Sequence, residues 1–307
     1  MLERKKILVT GPTGQVAFPL TLSLAQQNDV WGVARFSDAR ARERLEVAGV
    51  TCLALDQSTS DFSELPDDFH YVLNFAVVRG GDDDWDRDLT ANAEAVGLLM
   101  AHCKGAKAFL HCSSTAVYQH QGPHHPLKET DPLGDNHRVM MPTYSIAKIA
   151  AEAVARAAAR LYDVPTTIAR LNVPYGDNGG WPAWHLEFMS AGAPIPLHPE
   201  RPNLFNPIHE DDIARQLPKM LDVASVPATI VNWAGADAVS IEDWCGYLGE
   251  LTGLEPKFEE TDATIGSVTT DNTKMHKLVG KTKVGWRDGI ERMVNARHPE
   301  LLKASRA

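Results

Sequence analysis

A doubly wound α/β fold with a parallel sheet is what this sequence of 307 residues predicts, and three observations predict it. Lys6–Thr10 is a short β-branched run that ends on Gly11-Pro-Thr-Gly14 and opens into the apolar Val16–Ala25: strand, glycine turn, helix. Short apolar runs then alternate with helical patterns, which specifies parallel strands joined by right-handed crossovers. Those runs are apolar at nearly every position, as strands covered on both faces require.

The glycine spacing is Gly11-x-x-Gly14-x-x-Ala17, with an alanine in third place, small enough for close helix–strand packing. Glycines at 11 and 14 let the backbone approach a pyrophosphate, which the helix N-terminus then stabilises. Pro19 fits only if it falls in that helix's first turn. Asp29–Arg35 reads as the second strand. An NAD site usually carries an acid about twenty residues past the glycines, on the ribose 2′-hydroxyl. Here Ala34 and Arg35 end the strand and no acid comes before Asp38. Arginine suits a 2′-phosphate, so NADP is the expected cofactor and NAD the alternative.

Val50–Asp56 reads as a third strand with Asp56 at its C-terminal end, and His70–Ala76 as a fourth. The acid-rich Gly80–Asp88 reads as a solvated loop and helix start, because acids favour helix N-termini. Leu89–Lys104 follows as a helix and Ala106–Cys112 as a fifth strand, which delivers the hydroxyl-rich Ser113-Ser114-Thr115. Gln119–Pro142 is a polar loop with His120, His124, His125 and His137. It reads as a mobile rim rather than a metal centre, since no cysteine or acid stands at ligand spacing.

After Thr143 the chain is alanine-rich and free of Gly and Pro until Pro165, one long helix. Pro165–Arg170 is a sixth strand. Trp181, Trp184, His185 and Phe188 lie along one face of a short helix, either ordinary core or the wall of a substrate pocket. Ile208–Ile213 opens a helix with acids at its positive end, and Thr229–Trp233 is the last sheet strand. Ser240-Ile-Glu-Asp243 has the form of a capping box for a helix through Leu251. The expected organisation is a Rossmann-type dinucleotide-binding domain over residues 1–170, with a return segment at 204–235. A smaller mixed substrate-binding region takes 171–203 and 236–307.

Composition narrows the function. Hydrophobic content of 44% and charged content of 23% are ordinary for a globular protein. A net charge of −10 leaves no basic surplus to neutralise nucleic acid or an anionic membrane. No apolar run approaches the 18 or so residues of a membrane span. Four cysteines without framework spacing, and an N-terminus running straight into a strand, suit a reduced, cytoplasmic setting.

Tyr144 and Lys148 stand four apart on the long helix and so share a face. A cation beside a phenol favours phenolate, and a tyrosine so placed exchanges a proton with a substrate oxygen near neutral pH. The pair alone is weak evidence, since any helix can contain it. Order gives it weight. Thr10–Gly14, Asp56, Asn74–Ala76, Asn92, Ser113–Tyr118, Tyr144–Lys148 and His209–Asp212 follow one another as in extended short-chain dehydrogenases/reductases. The chain resembles their NAD(P)-dependent epimerase/dehydratase branch over nearly its whole length.

The resemblance implies that Tyr144 is the acid/base, that Lys148 holds the nicotinamide ribose, and that Ser114 is the third catalytic member. It implies a cofactor site of Gly11, Thr13, Gly14, Gln15, Val16, Arg35, Asp56, Gln57, Phe75 and Ala76, with Tyr144 and Lys148 at its nicotinamide end. The expected substrate pocket is Val77, Ser114, Thr115, Asn172, Val173, Trp181, Trp184 and Phe205. A homodimer through two helices, the Tyr144 helix among them, is implied as well.

Two departures bear on substrate. Nucleotide-sugar members resemble Arg-x-x-Asn-x-Tyr-Gly after the sixth strand, whereas here Val173 takes the asparagine position and Asn172 comes one residue early. Phe205 falls where those members place a diphosphate-gripping arginine. The leading expectation is therefore an NAD(P)-dependent carbonyl reductase or alcohol dehydrogenase acting on a small non-nucleotide substrate, with no metal. A nucleotide-sugar epimerase or dehydratase is the alternative. A non-catalytic NADP-sensing protein is a third reading, against which the retained Tyr144, Lys148 and Ser114 count.

Overall fold

The computed structural model describes residues 2–59, 61–78 and 84–303. The first part of the chain lays down β1 (Lys6–Thr10), β2 (Asp29–Ala34), β3 (Thr51–Ala54), β4 (Tyr71–Asn74), β5 (Ala108–Ser114) and β6 (Thr166–Leu171). Short strands follow: β7 (Val173–Gly176), β8 (Gly179–Gly180), β9 (Ile195–Leu197), β10 (Leu204–Phe205) and β11 (Pro207–His209). The chain then returns as β12 (Thr229–Trp233), and the main sheet reads β12-β6-β5-β4-β1-β2-β3, parallel throughout. Strand order reverses between β1 and β4, so a crevice opens there at the C-terminal ends of the strands.

The α-helices among the described residues are α1 (Ala17–Ala25), α2 (Ala39–Val47), α3 (Trp85–Leu89), α4 (Ala95–His102), α5 (Tyr144–Tyr162), α6 (Trp181–Ser190), α7 (Glu210–Asp222), α8 (Ile241–Thr252), α9 (Thr273–Leu278) and α10 (Trp286–Arg297). Strand side chains alternate faces, and both faces are covered. Ile7, Val9, Leu73 and Trp233 pack with Phe18 and Leu20 of α1 and Leu217 of α7. Leu8, Val72, Phe109 and Ile168 pack with Leu99 of α4 and the alanines of α5. A separate core gathers Val173, Leu186, Phe205, Trp244, Leu248 and Met293 from the later segments.

Several expected bounds move. The fifth strand begins at Ala108, because the Ala106 N–H still closes the turn after α4 on the Cys103 carbonyl. It runs on to Ser114, because Cys112, Ser113 and Ser114 pair with β6. The expected helix at Leu89 begins instead at Trp85, where Asp84 caps it through the Arg87 N–H (3.0 Å). A π-helical stretch, Thr90–Glu94, separates α3 from α4. Asp82 and Asp83 lie outside the described residues. Pro19 falls at the third residue of α1, inside its first turn, and the Ser240–Asp243 capping box is formed.

Candidate active site

A cavity of about 220 Å³ opens at the C-terminal edge of the main sheet. Gly11, Gly14, Gln15, Val16, Phe75 and Val77 form one wall; Asn172, Val173, Trp181, Trp184 and Phe205 form the other. Ser114, Thr115, Tyr144 and Lys148 sit between them. The remaining expected cofactor residues, Thr13, Arg35, Asp56, Gln57 and Ala76, stand off this cavity. Arg35 is exposed just past β2, and the Asp56 carboxylate accepts from the Ser58 N–H and hydroxyl (2.9 and 2.8 Å).

The first wall is backbone brought close. Gly11 has φ +65°, and a Cβ there would stand 2.8 Å from Ala76 Cα, so only glycine fits. Thr10 Oγ1 donates to Asn74 Oδ1 (2.7 Å) and accepts from the Ala76 N–H (3.1 Å), tying the ends of β1 and β4 together. Asn92 clamps the Val78 backbone through both N–H and carbonyl (2.7 and 2.8 Å).

The centre is anchored from two sides. Thr143, just before α5, donates to the buried Asp88 carboxylate (2.6 Å), which fixes where the helix starts and hence Tyr144. Lys148 is 5% exposed; its ammonium donates to the Cys112 carbonyl (2.8 Å) and lies 6.0 Å from the centre of the Tyr144 ring. Ser114 Oγ accepts from the Ala116 N–H (3.1 Å) and stays half-buried on the cavity. Burial and then the Lys148 charge hold His111 well below the usual imidazole range, and burial pushes the Cys112 thiol up to about 11. Both side chains are therefore neutral near pH 7.

One turn further along α5, Glu152 receives Arg170 through two bonds (2.9 and 2.7 Å) and the Ser113 hydroxyl through a third (2.6 Å). This buried pair joins helix, β5 and β6 directly beneath the centre.

The second wall departs from expectation in places. The Asn172 amide is spent on structure: Nδ2 donates to the Val268 carbonyl (2.9 Å) and Oδ1 accepts from the Asn206 N–H (3.1 Å). Trp181, Trp184, His185 and Phe188 do not act as one face. His185 is buried and stacked on Trp244, Phe188 is 41% exposed, and Trp184 is 51% exposed on the cavity wall, marking its mouth. Phe205 is 2% exposed and meets Trp181 edge-on at 5.0 Å. Sequence reasoning missed Val268, Met141 and His137 on the wall. Nothing in the local pattern marks the first two. His137 was one of four loop histidines, and the structure separates it from the others: His120 pairs with Glu200 and His125 with Asp131 at the surface.

A model of the NAD dependent epimerase/dehydratase family matches residues 7–231. The chain belongs to this family. A trifunctional UDP-glucose 4,6-dehydratase/UDP-4-keto-6-deoxy-D-glucose 3,5-epimerase/UDP-4-keto-L-rhamnose-reductase of Arabidopsis thaliana is 24% identical over 220 residues, 66% of this chain and 32% of that protein. The chain thus spans about a third of the length of the curated relatives it matches. UDP-glucuronic acid 4-epimerase from Bacillus cereus, solved with UDP-glucuronic acid and NAD, superposes with TM-score 0.82 at 20% identity, over 95% of this chain and 98% of that one. MoeE5, solved with UDP-glucose and NAD, gives TM-score 0.81 at 23% identity, over 96% and 99%. At such identities the likeness shows the fold.

For a member of an NAD-dependent family, the first wall fits the cofactor chemically. Gly11 leaves no side chain between backbone and ligand, and α1 turns its N-terminal amides toward the glycine turn, where a pyrophosphate is stabilised. Among the described residues, no three His, Cys, Asp or Glu side chains gather as a metal site, and no helix is long and apolar enough to cross a membrane.

Proposed function

We propose that this family member is an NAD(P)-dependent oxidoreductase acting on a secondary alcohol or ketone, with Tyr144 giving and taking the proton on the substrate oxygen. The observation that carries the reading is the convergence of Tyr144, Lys148 and Ser114 on one cavity beside the glycine turn. A nicotinamide cofactor, when bound, would supply or accept hydride. Gly11, Gly14, Gln15, Val16 and Phe75 would hold the cofactor along the first wall. Lys148, fixed by the Cys112 carbonyl, would steady both Tyr144 and the ribose. Ser114 orients the substrate oxygen, so that positioning and proton transfer supply the catalysis.

For the substrate, the cavity favours a small non-nucleotide molecule. Lys148 is the only Lys or Arg among the described residues lining it, Asn172 is committed to backbone, and Phe205 and Val268 close the far end. A diphosphate would find no second cation there. The second reading, a nucleotide-sugar epimerase or dehydratase, is favoured by the relatives, whose names specify UDP-sugars. Cofactor accounting separates them. The first reading expects net NADPH oxidation with a simple ketone; the second expects copurifying NAD and UDP-sugar turnover without net consumption. Under both, Tyr144→Phe should lower turnover by about a hundred- to ten-thousand-fold while cofactor still binds. Unchanged turnover in that variant ends the reading.

NADP is the proposed cofactor, supported by Arg35, exposed just past β2 with no acid in the chain before Asp38. Residues 1–170 with 204–235 would serve the cofactor, and 171–203 with 236–307 the substrate. A cytoplasmic location suits four free cysteines. A homodimer would use the outer faces of α4 and α5, where Leu98, Ile146 and Leu161 are exposed, while Ala147, Ala151 and Ala155 are turned into the core. Light scattering in solution reads that directly.

A further inference from the structure

His137 stands on the cavity wall with one ring nitrogen committed and the other free. The residue is 8% exposed. Its N–H donates to Ser145 Oγ (3.4 Å) and its carbonyl accepts from the Met140 and Met141 N–H groups (3.0 and 2.8 Å), which holds it against the first turn of α5. Its ring lies beside that of Tyr144, with 5.9 Å between centroids and a 39° tilt, so one small molecule can touch both.

The tautomer follows from a neighbour. Asn136 donates through Nδ2 to the Thr115 carbonyl (3.2 Å), which can only accept. Asn136 Oδ1 is then the atom facing His137 Nδ1, and that nitrogen must carry the proton of the contact. Nε2 is left as a bare lone pair with no partner among the described residues. Burial depresses the imidazole to about 4, so it stays neutral near pH 7. Unlike the buried Nε2 of His111, this nitrogen is reached by solvent, so a ligand hydroxyl there takes the place of water.

We propose that His137 sets specificity: its Nε2 accepts a hydrogen bond from a hydroxyl on the carbon next to the one Tyr144 serves. The substrate class is then vicinal hydroxy ketones and diols rather than isolated ketones or alcohols. The proposal rests on the reaction proposed above, and the shared feature would suit either of its two substrate readings.

Two measurements test it. Wild type, His137→Phe and His137→Gln are assayed with NADPH on 2-hydroxyacetophenone and acetophenone, aromatic probes matched to the Phe205–Trp181 wall. Wild type should favour the hydroxylated ketone by about tenfold in kcat/KM. His137→Phe should lose that preference, and His137→Gln, which keeps an acceptor, should recover part of it. A preference that survives in His137→Phe overturns the proposal. The second measurement needs no turnover. Long-range ¹H–¹⁵N spectra of histidine-labelled wild type should show His137 protonated at Nδ1 only, with an Nε2 resonance that moves on adding 2-hydroxyacetophenone with NADP⁺ but not acetophenone with NADP⁺. An Nε2–H tautomer, an imidazolium at neutral pH, or equal response to both probes overturns it. Should wild type reduce neither ketone while His137 responds as expected, the reaction reading fails and the role of His137 stands.

Discussion

The two walls of the cavity meet at Tyr144 and are built by different means. The cofactor-side wall is backbone: two short runs, residues 10–17 and 74–78, drawn together by Thr10 and Asn74 and kept bare by Gly11. The opposite wall is side chain: Val173, Trp181, Phe205 and Val268 come from separate segments and touch only once the later core has formed. A wall that works by lacking side chains needs particular residues at fixed spacing. A wall that works by shape can draw on any residue the fold delivers. The first is therefore a motif and the second is not.

The largest expected effect tests the seam between them. Glu152 and Arg170 are both 3% exposed and joined by two bonds, with Ser113 on the same carboxylate. Glu152→Ala strands a buried guanidinium and should cost about 3–5 kcal/mol in urea unfolding. Replacing both partners, Glu152→Leu with Arg170→Met, should cost far less, because no charge is left unpaired. Loss of under about 1 kcal/mol in the single variant would mean that packing rather than this pair holds helix, β5 and β6 together.

The same contrast explains what could be read from sequence. Thr229–Trp233 was legible to the residue, and so was the glycine turn, since each rests on local pattern or fixed spacing, whereas Ser114 was expected beside Tyr144 and Lys148 through the family resemblance and lines the same cavity. Val173 and Phe205 were placed on the pocket wall by position and are found there. The π-helical stretch at Thr90–Glu94 had no local mark: it accompanies the Asn92 clamp on Val78, a contact fourteen residues back in the chain. Asn172 looked like a free polar contact until Val268, almost a hundred residues on, took its amide. His137 lay among histidines that differ only in what the folded chain sets beside them. Trp184 and Phe188 reach solvent because the neighbouring core on α6 is already filled by His185, Leu186 and Met189.

A smaller effect probes the backbone wall itself. Gly11→Ala places a residue with a Cβ in the left-handed region, costing about 1–2 kcal/mol, and aims that Cβ at Ala76 Cα, which belongs to the main chain and cannot swing aside. NADPH affinity, read by tryptophan fluorescence, should fall by about tenfold or more. Gly14→Ala should be milder, because its Cβ would meet only the Gly11 carbonyl oxygen, at 3.1 Å, with ordinary φ. Equal affinities in wild type and Gly11→Ala would remove the glycine turn from the cofactor site.

The smallest effect lies at the far end of the same wall. Past β2 the nearest acid, Asp38, is occupied as the cap of α2, accepting from the Ala41 N–H (3.0 Å). Asp56 is bound to Ser58, which is the main reason its carboxyl is held below the usual range; the Arg35 charge adds a lesser pull. Each acid keeps its second oxygen, so it is Arg35, exposed and available to a 2′-phosphate, that supports NADP. A contact in open solvent is worth little, so Arg35→Ala should weaken NADPH about fivefold and leave NADH unchanged. The difference should shrink as salt is raised, as screening of an exposed pair requires. If wild type instead binds NADH more tightly, Arg35 is a solvated surface charge, and the adenine end of this wall serves NAD without any side chain on the ribose.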